Sequence, residues 1–352
     1  MKKYRNIALA MVIILTTLIL STCGYYNYML KPVTKDTKIK EITIPARSST
    51  TEIANILKDN NLIKDVNIFK LYLKINKINN LKASVYQLSE NMGVKKITEI
   101  ISEGNNYNPE SIRVTIPEGK HITEIANIYA KNTNNSAQSL LEFWNNKDFI
   151  LEMIDKYWFI EKDVLNGEIR YYLEGYLFPD TYEYSKKDVT PKEIAIKMLD
   201  RMDNILSKYK SEIEKSSYTV HQILTLASIV EYEAILDEDR PMIAGVFYNR
   251  LNSGWLLQSC ATVGYAIDEW KLSYTYQDLR TDSKYNTYYY KGLPVGPGNS
   301  PSEKSIIATL NPAKHDYYYF LANVCDTTSK KTYYSKTNQE HEQKKAKYLT
   351  CL

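Results

Sequence analysis

The sequence predicts an α+β protein made of an N-terminal apolar helix and two folded units. Three observations lead there: a charge-free stretch behind a basic start, a β-then-α pattern that occurs twice, and a length of 352 residues, more than one domain commonly holds. An apolar fraction of 44% with 24% charged residues is that of ordinary globular protein, which excludes a disordered chain and a multi-span membrane protein. The 45 basic and 41 acidic residues leave a net charge of only +4, so no nucleic-acid partner is expected. The 31 tyrosines read first as the codon bias of an AT-rich genome; clustered in a cleft, they would offer flat faces to sugars or peptides.

The first element is the anchor. Lys2, Lys3 and Arg5 precede residues 7–20, which carry no charge, and residues 21–28 add uncharged side chains and three tyrosines suited to an interface. The strictly apolar part is short for a span of about 20 residues, yet the basic start predicts a single-pass helix with its N-terminus inside and the body outside a bacterial cytoplasmic membrane. A cleaved signal is the alternative, and Leu20-Ser21-Thr22-Cys23 resembles a lipoprotein processing site. Either way the chemistry has to work without cytoplasmic ATP or nicotinamide.

The segments expected are residues 1–28 (cytoplasmic start and transmembrane helix), 29–40 (linker), 41–109 (a small α+β unit) and 110–352 (a larger α+β unit). In the small unit Glu41-Ile-Thr-Ile-Pro45 alternates like a strand, and Thr51-Glu-Ile-Ala-Asn-Ile-Leu57 has helical spacing. Helices are predicted at 67–74 and 94–102, and a strand at 83–88. The opening pattern returns as Val114-Thr-Ile-Pro117 and Thr123-Glu-Ile-Ala-Asn-Ile-Tyr129, 72 residues on, which marks an internal repeat. Helices are predicted at 137–144, 191–208 and 221–234, strands at 317–322 and 331–334, and a cleft-shaping loop at 292–301.

Cys23, Cys260, Cys325 and Cys351 lack zinc-ligand spacing, and Cys325 with Cys351 is the favoured disulfide if one forms. His121, His221, His315 and His341 are scattered, so neither a metal site nor a Cys/His nucleophile is expected. The residue singled out for chemistry is Glu231. On a helical wheel Val220, Ile223, Leu224, Ala227, Val230 and Ala234 gather on one arc with Glu231 near its middle, while Glu233 points almost oppositely. A carboxyl on an apolar face loses hydration when ionised and stays protonated, as a general acid needs. The competing reading is a structural Glu paired with Arg240 or Arg250. Glu174, in an aromatic segment, either contacts substrate or ties a turn.

The motifs Leu226-Ala-Ser-Ile-Val-Glu-Tyr-Glu233, Val246-Phe-Tyr-Asn-Arg-Leu251, Leu257-Gln-Ser259, Tyr285-Asn-Thr-Tyr288 and Gly292-Leu-Pro294 stand in an order and spacing that resembles the YceG-like (MltG) endolytic murein transglycosylases. Leu173-Glu-Gly-Tyr-Leu-Phe-Pro-Asp-Thr-Tyr182 and the block around Tyr319, Phe320, Ser335, Thr337, Glu340 and His341 are similar to that family too, so the resemblance covers nearly the whole chain. It departs at Pro294-Val295, at Gly296-Pro-Gly-Asn-Ser300, at Cys260-Ala261 and at Ala83-Ser84-Val85.

The resemblance implies that the small unit is a LysM-like subdomain and that the larger one is a lytic transglycosylase, a carbon-oxygen lyase. Such an enzyme cuts the β-1,4 bond between N-acetylmuramic acid and N-acetylglucosamine of nascent peptidoglycan strands, leaves 1,6-anhydromuramoyl ends, and so limits strand length during cell-wall assembly. By position Glu231 is the catalytic residue. One carboxyl group suffices because the sugar's own C6 hydroxyl is the nucleophile, and no metal or diffusible cofactor is required. Gln258, Asn286, Thr287, Tyr285, Asn249, Glu174 and Tyr176 are the candidate substrate contacts. The partners implied are glycan strands, membrane lipid at the N-terminal helix, and peptidoglycan synthases of the elongation machinery. A wall-binding scaffold that holds glycan without cutting it is the competing class.

Overall fold

The structure, a computed structural model, describes residues 2–45, 47–104, 111–271, 273–326, 328 and 330–351. The side chains of residues 2–10, 12, 13 and 15 lie outside the description, as does the boundary expected at 109/110. The chain is mixed α and β and divides into two compact units, Met1–Ser111 and Ile112–Leu352.

The first unit opens with α1 (Lys2–Met29). The spanning helix expected here is not borne out: among the described residues no helix is long and apolar enough to cross a membrane. In the second half of α1 Thr17, Ser21 and Thr22 turn their hydroxyls back onto the carbonyls of Ile14 and Leu18. The segment after it is tied down, with Val33 and Thr34 N–H both donating to the Glu90 carbonyl.

Strand β1 (Ile39–Ile44) pairs antiparallel with β2 (Ser84–Ser89), Ile42 opposite Tyr86. Between them run α2 (Thr50–Asp59) and α3 (Val66–Ile75), and α4 (Val94–Glu103) follows. Helix α2 starts at a reciprocal cap: Glu52 N–H donates to Ser49 Oγ at 3.2 Å and Ser49 N–H to Glu52 Oε2 at 2.6 Å. The alternation of β1 and the 3.6-residue spacing of the helices meet in one core that includes Ile42, Ile53, Leu57, Phe69, Tyr86, Leu88 and Ile97.

The second unit begins with the repeat: β3 (Ile112–Thr115) pairs antiparallel with β4 (Thr181–Tyr184) around α5 (Ile122–Asn132), α6 (Ala137–Trp144) and α7 (Lys147–Lys156). Then come α8 (Pro191–Leu206), α9 (Lys210–Lys215), α10 (Val220–Glu233), α11 (Arg240–Asn252), α12 (Cys260–Ile267) and α13 (Glu303–Leu310). The hairpin β5 (Tyr319–Ala322) and β6 (Thr332–Ser335) precedes the last helix, α14 (Asn338–Tyr348), and a disulfide joins Cys325 to Cys351.

Helix α10 organises this unit. Its N-terminus is fixed by Thr219 and Gln222, each accepting the other's backbone N–H. The single apolar arc expected from the wheel is instead two faces. Val220, Ile223, Leu224 and Ala227 enter the core shared with α5, α6 and α8, whereas Leu226, Ile229, Val230 and Ala234 enter a second core with Ile243, Ala244 and Phe247 of α11. A helix apolar nearly all round has to be buried on several sides, and this places Glu231, in its last turn, where α10, α11 and α13 converge.

Candidate active site

The Glu231 carboxyl is bound on one side. Its Oε2 accepts from Ser302 N–H at 2.9 Å, Ser302 Oγ at 2.5 Å and Ser305 Oγ at 2.7 Å, and lies 3.1 Å from Arg240 Nη1. Ser302 is the N-cap of α13, so the carboxylate sits at a helix N-terminus where free N–H groups and the dipole favour an anion. Arg240 is itself held by Ser305 Oγ at 2.6 Å and Asp237 at 3.2 Å. The apolar surround expected for this carboxyl from its helix face is therefore absent. Its stalk leaves an apolar helix, but its head enters a polar clamp, because serines and an arginine from elsewhere in the chain complete the site. Of the two arginines weighed from sequence, Arg240 is the partner; Arg250 donates to the carbonyls of Tyr318 and Leu257.

Among the described residues Oε1 of Glu231 has no hydrogen-bond partner, which leaves one oxygen for a ligand. Glu233 faces elsewhere, accepting from Ser259 Oγ at 2.6 Å, and burial raises its pKa. Another carboxyl close enough to feel Glu231 is Glu118, whose pKa is raised by burial and then by the charge of Glu231.

A cavity of about 460 Å³ has a wall that includes Gly119, His121, Arg170, Tyr232, Tyr265 and Trp270; Glu231 is not one of its lining residues. Gly119 has φ +71°, and a Cβ there would lie 3.6 Å from Glu231 Cγ, so this wall reaches the carboxyl-bearing side chain. Its volume is in the range of small-ligand pockets.

The remaining sequence-predicted contacts do not converge on Glu231. Asn286 is fully buried: its Nδ2 donates to the carbonyls of Leu279 (3.1 Å) and Thr281 (2.9 Å), and its Oδ1 accepts from Tyr288 N–H. Thr287 Oγ1 accepts from Ser259 N–H and bonds to the Thr262 hydroxyl. Asn249 Nδ2 donates to the carbonyls of His315 and Tyr317, both at 2.8 Å. The Tyr176 hydroxyl is buried against His221 Nδ1 at 2.8 Å, and the Tyr285 hydroxyl accepts from Arg170 N–H. Each commits at least one polar atom to the scaffold. Gln258 is exposed with a left-handed φ of 51°, its N–H donating to the Thr287 carbonyl. Glu174 is buried yet borders the cavity, taking Ile122 N–H and the Tyr265 hydroxyl.

Sequence reasoning missed Ser302 and Ser305. The signal for the first was present: serine ahead of Glu303 and the apolar pair Ile306-Ile307 is an N-cap pattern. Nothing in the pattern says that a cap also serves a carboxylate 71 residues away.

Known proteins share this architecture. The profile of the YceG-like family matches residues 42–347. A protein of Bacillus subtilis (strain 168) named endolytic murein transglycosylase is 36% identical over 93% of this chain and 89% of its own length. One of the same name from Streptococcus pneumoniae serotype 2 (strain D39 / NCTC 7466) is 34% identical over 94% of this chain, which spans 63% of that longer protein. The crystal structure of a YceG-like protein from Listeria monocytogenes superposes with a TM-score of 0.63 at 39% identity, over 88% of this chain and 99% of that one. With a match over most of its length in profile, sequence and fold, this chain belongs to the YceG-like family.

Proposed function

We propose that the protein is an endolytic murein transglycosylase that cuts glycan strands at the bond between N-acetylmuramic acid and N-acetylglucosamine, with Glu231 as its acid and base. The observation that carries the reading is the one-sided hold on Glu231: Oε2 is fixed by Ser302, Ser305 and Arg240, while Oε1 takes no hydrogen bond among the described residues. A positioned carboxyl with one free oxygen is what proton transfer to a bound glycoside needs. In its protonated form Glu231 donates the Oε1 proton to the glycosidic oxygen as the C1–O bond breaks. The C6 hydroxyl oxygen of the muramoyl residue then bonds to C1, and its proton returns to Oε1. The products are a 1,6-anhydromuramoyl end and a new N-acetylglucosamine hydroxyl; no water is consumed.

Hydrolysis is the second reading, and the nearness of Glu118 to Glu231 favours considering it, since a second carboxylate can activate water. Mass analysis of products from purified peptidoglycan separates the two: anhydro ends support the transglycosylase, reducing ends the hydrolase, and intact strands a wall-binding scaffold. Glu231→Gln is expected to lower turnover by about a thousandfold while the far-UV circular dichroism of the folded chain is retained. Normal turnover in that variant overturns the assignment of Glu231.

The placement belongs to the same proposal. The basic start and charge-free stretch of residues 2–28 attach the enzyme to the outer face of the membrane, close to newly made strands and the synthases that make them. The Cys325–Cys351 bridge suits an oxidising compartment. The first unit takes the LysM-like role of holding glycan.

A further inference from the structure

We propose that Trp270, with Tyr232 and His121 beside it, is a stacking platform that binds one pyranose ring of an uncharged N-acetylated sugar next to Glu231. The proposal rests on the transglycosylase reading for the identity of the polymer, but the platform is argued from its own geometry.

The His121 and Trp270 rings stack with centroids 4.6 Å apart at 26°, and Tyr232 lies 4.9 Å from Trp270 at 33°. All three border the 460 Å³ cavity. Trp270 nevertheless remains 40% exposed and Tyr232 47% exposed. Scattered exposed aromatics are ordinary, but this indole is seated. A Cβ on Gly264 of α12 would come within 2.9 Å of its Cε3 and within 2.5 Å of the Tyr274 hydroxyl, so the helix is bare where the ring lies. His121 is also fixed, its Nδ1 bonded to the Gly298 carbonyl. His121 covers part of the indole, so the surface offered to the axial C–H groups of a pyranose is the exposed remainder of Trp270 together with Tyr232, held at a set angle in a concave wall.

The charges around the cavity indicate what the ligand carries. Lys120 pairs with Glu124 at 2.6 Å, and Arg170 Nη1 lies 3.5 Å from Asp268. Cations and carboxylates that already neutralise one another leave hydrogen-bonding edges and no unmatched charge, which suits hydroxyl and acetamido groups better than an anion. The platform shares its wall with the stalk of the reacting side chain, since a Cβ on Gly119 of that wall would lie 3.6 Å from Glu231 Cγ.

The test titrates the β-1,4-linked tetramer of N-acetylglucosamine into the full chain carrying Glu231→Gln and follows binding calorimetrically. Trp270→Ala is expected to weaken binding at least tenfold and Trp270→Tyr to retain most of it. Gly264→Ala, which leaves the indole in the sequence but displaces it from α12, is expected to weaken binding too. Trp158→Ala and Trp255→Ala, which remove similarly exposed indoles outside this cavity, are expected to bind as the parent does. A parent that does not bind the tetramer, or a folded Trp270→Ala that binds equally well, overturns the platform. Absence of anhydro ends from the unmutated enzyme overturns the functional reading and leaves this titration standing.

Discussion

Glu174 is the carboxyl whose environment is most altered by folding. It is 2% exposed, and burial pushes its pKa up to about 8 against the opposing hydrogen bonds of Ile122 N–H, the Tyr265 hydroxyl and Gly175 N–H. An unfolded glutamate titrates near about 4.3, so between that value and about 8 the folded chain keeps a proton that the unfolded chain releases. The stability tied to this group is therefore complete at the acid end and declines as pH rises through 8. Denaturant titrations at several pH values are expected to show the decline, and Glu174→Gln, which cannot ionise, is expected to flatten it; an equal slope in the variant would refute the buried acid. At this scale the sequence nominated Glu231 and Glu174, and folding surrounds Glu231 with serines and an arginine that an apolar helix face does not announce. Asn286, Thr287 and Asn249 were legible as polar residues of a motif, but only coordinates reveal that their side chains are consumed by the carbonyls of Leu279, Thr281, His315 and Tyr317 and by the Ser259 N–H.

Elements were read best where an apolar period meets a capping residue. Helix α6 falls on the residues predicted, 137–144, with Ser136 accepting from Ser139 N–H, and α10 starts within one residue of its expected start. Helices α11 and α12 were not foreseen as elements, because α11 mixes Arg240, Asn249 and Arg250 with apolar residues that face two directions. The caps themselves carry energy. Thr219→Ala removes the side-chain oxygen that accepts Gln222 N–H and is expected to cost about 1 kcal/mol of stability, read from the denaturation midpoint. Because Glu231 lies at the far end of the same helix, activity per folded molecule is expected to persist, and a loss of turnover without loss of stability would contradict that separation.

On the scale of the molecule, the 72-residue repeat corresponds to real structure in both units: β1 leads to α2 and pairs back with β2, as β3 leads to α5 and pairs back with β4. The disulfide closes a segment of 26 residues that contains β6 and α14, and such a bridge contributes on the order of 3 kcal/mol by restricting the unfolded chain. If the body is exported, protein recovered from the membrane fraction of cells is expected to accept two thiol labels, on Cys23 and Cys260, before reduction, and four after it. Recovery in the soluble fraction with four labels from the outset would contradict both the export and the bridge. Reduction is also expected to lower the unfolding temperature.

By itself the sequence determined the α+β class, the repeat, the places of several helices including α6 and α10, and the family, and it nominated Glu231, because periodicity, caps and motif spacing are local properties that chain order preserves. It favoured the Cys325–Cys351 pair without being able to measure the distance. Only the tertiary structure decided what surrounds the carboxyl. Ser302 and Ser305 reach Glu231 across 71 and 74 residues, and Trp270 meets His121 and Tyr232 through folding alone. Desolvation, ion pairing and ring stacking depend on distance in space, and a pattern along the chain does not encode which distant side chains share a site.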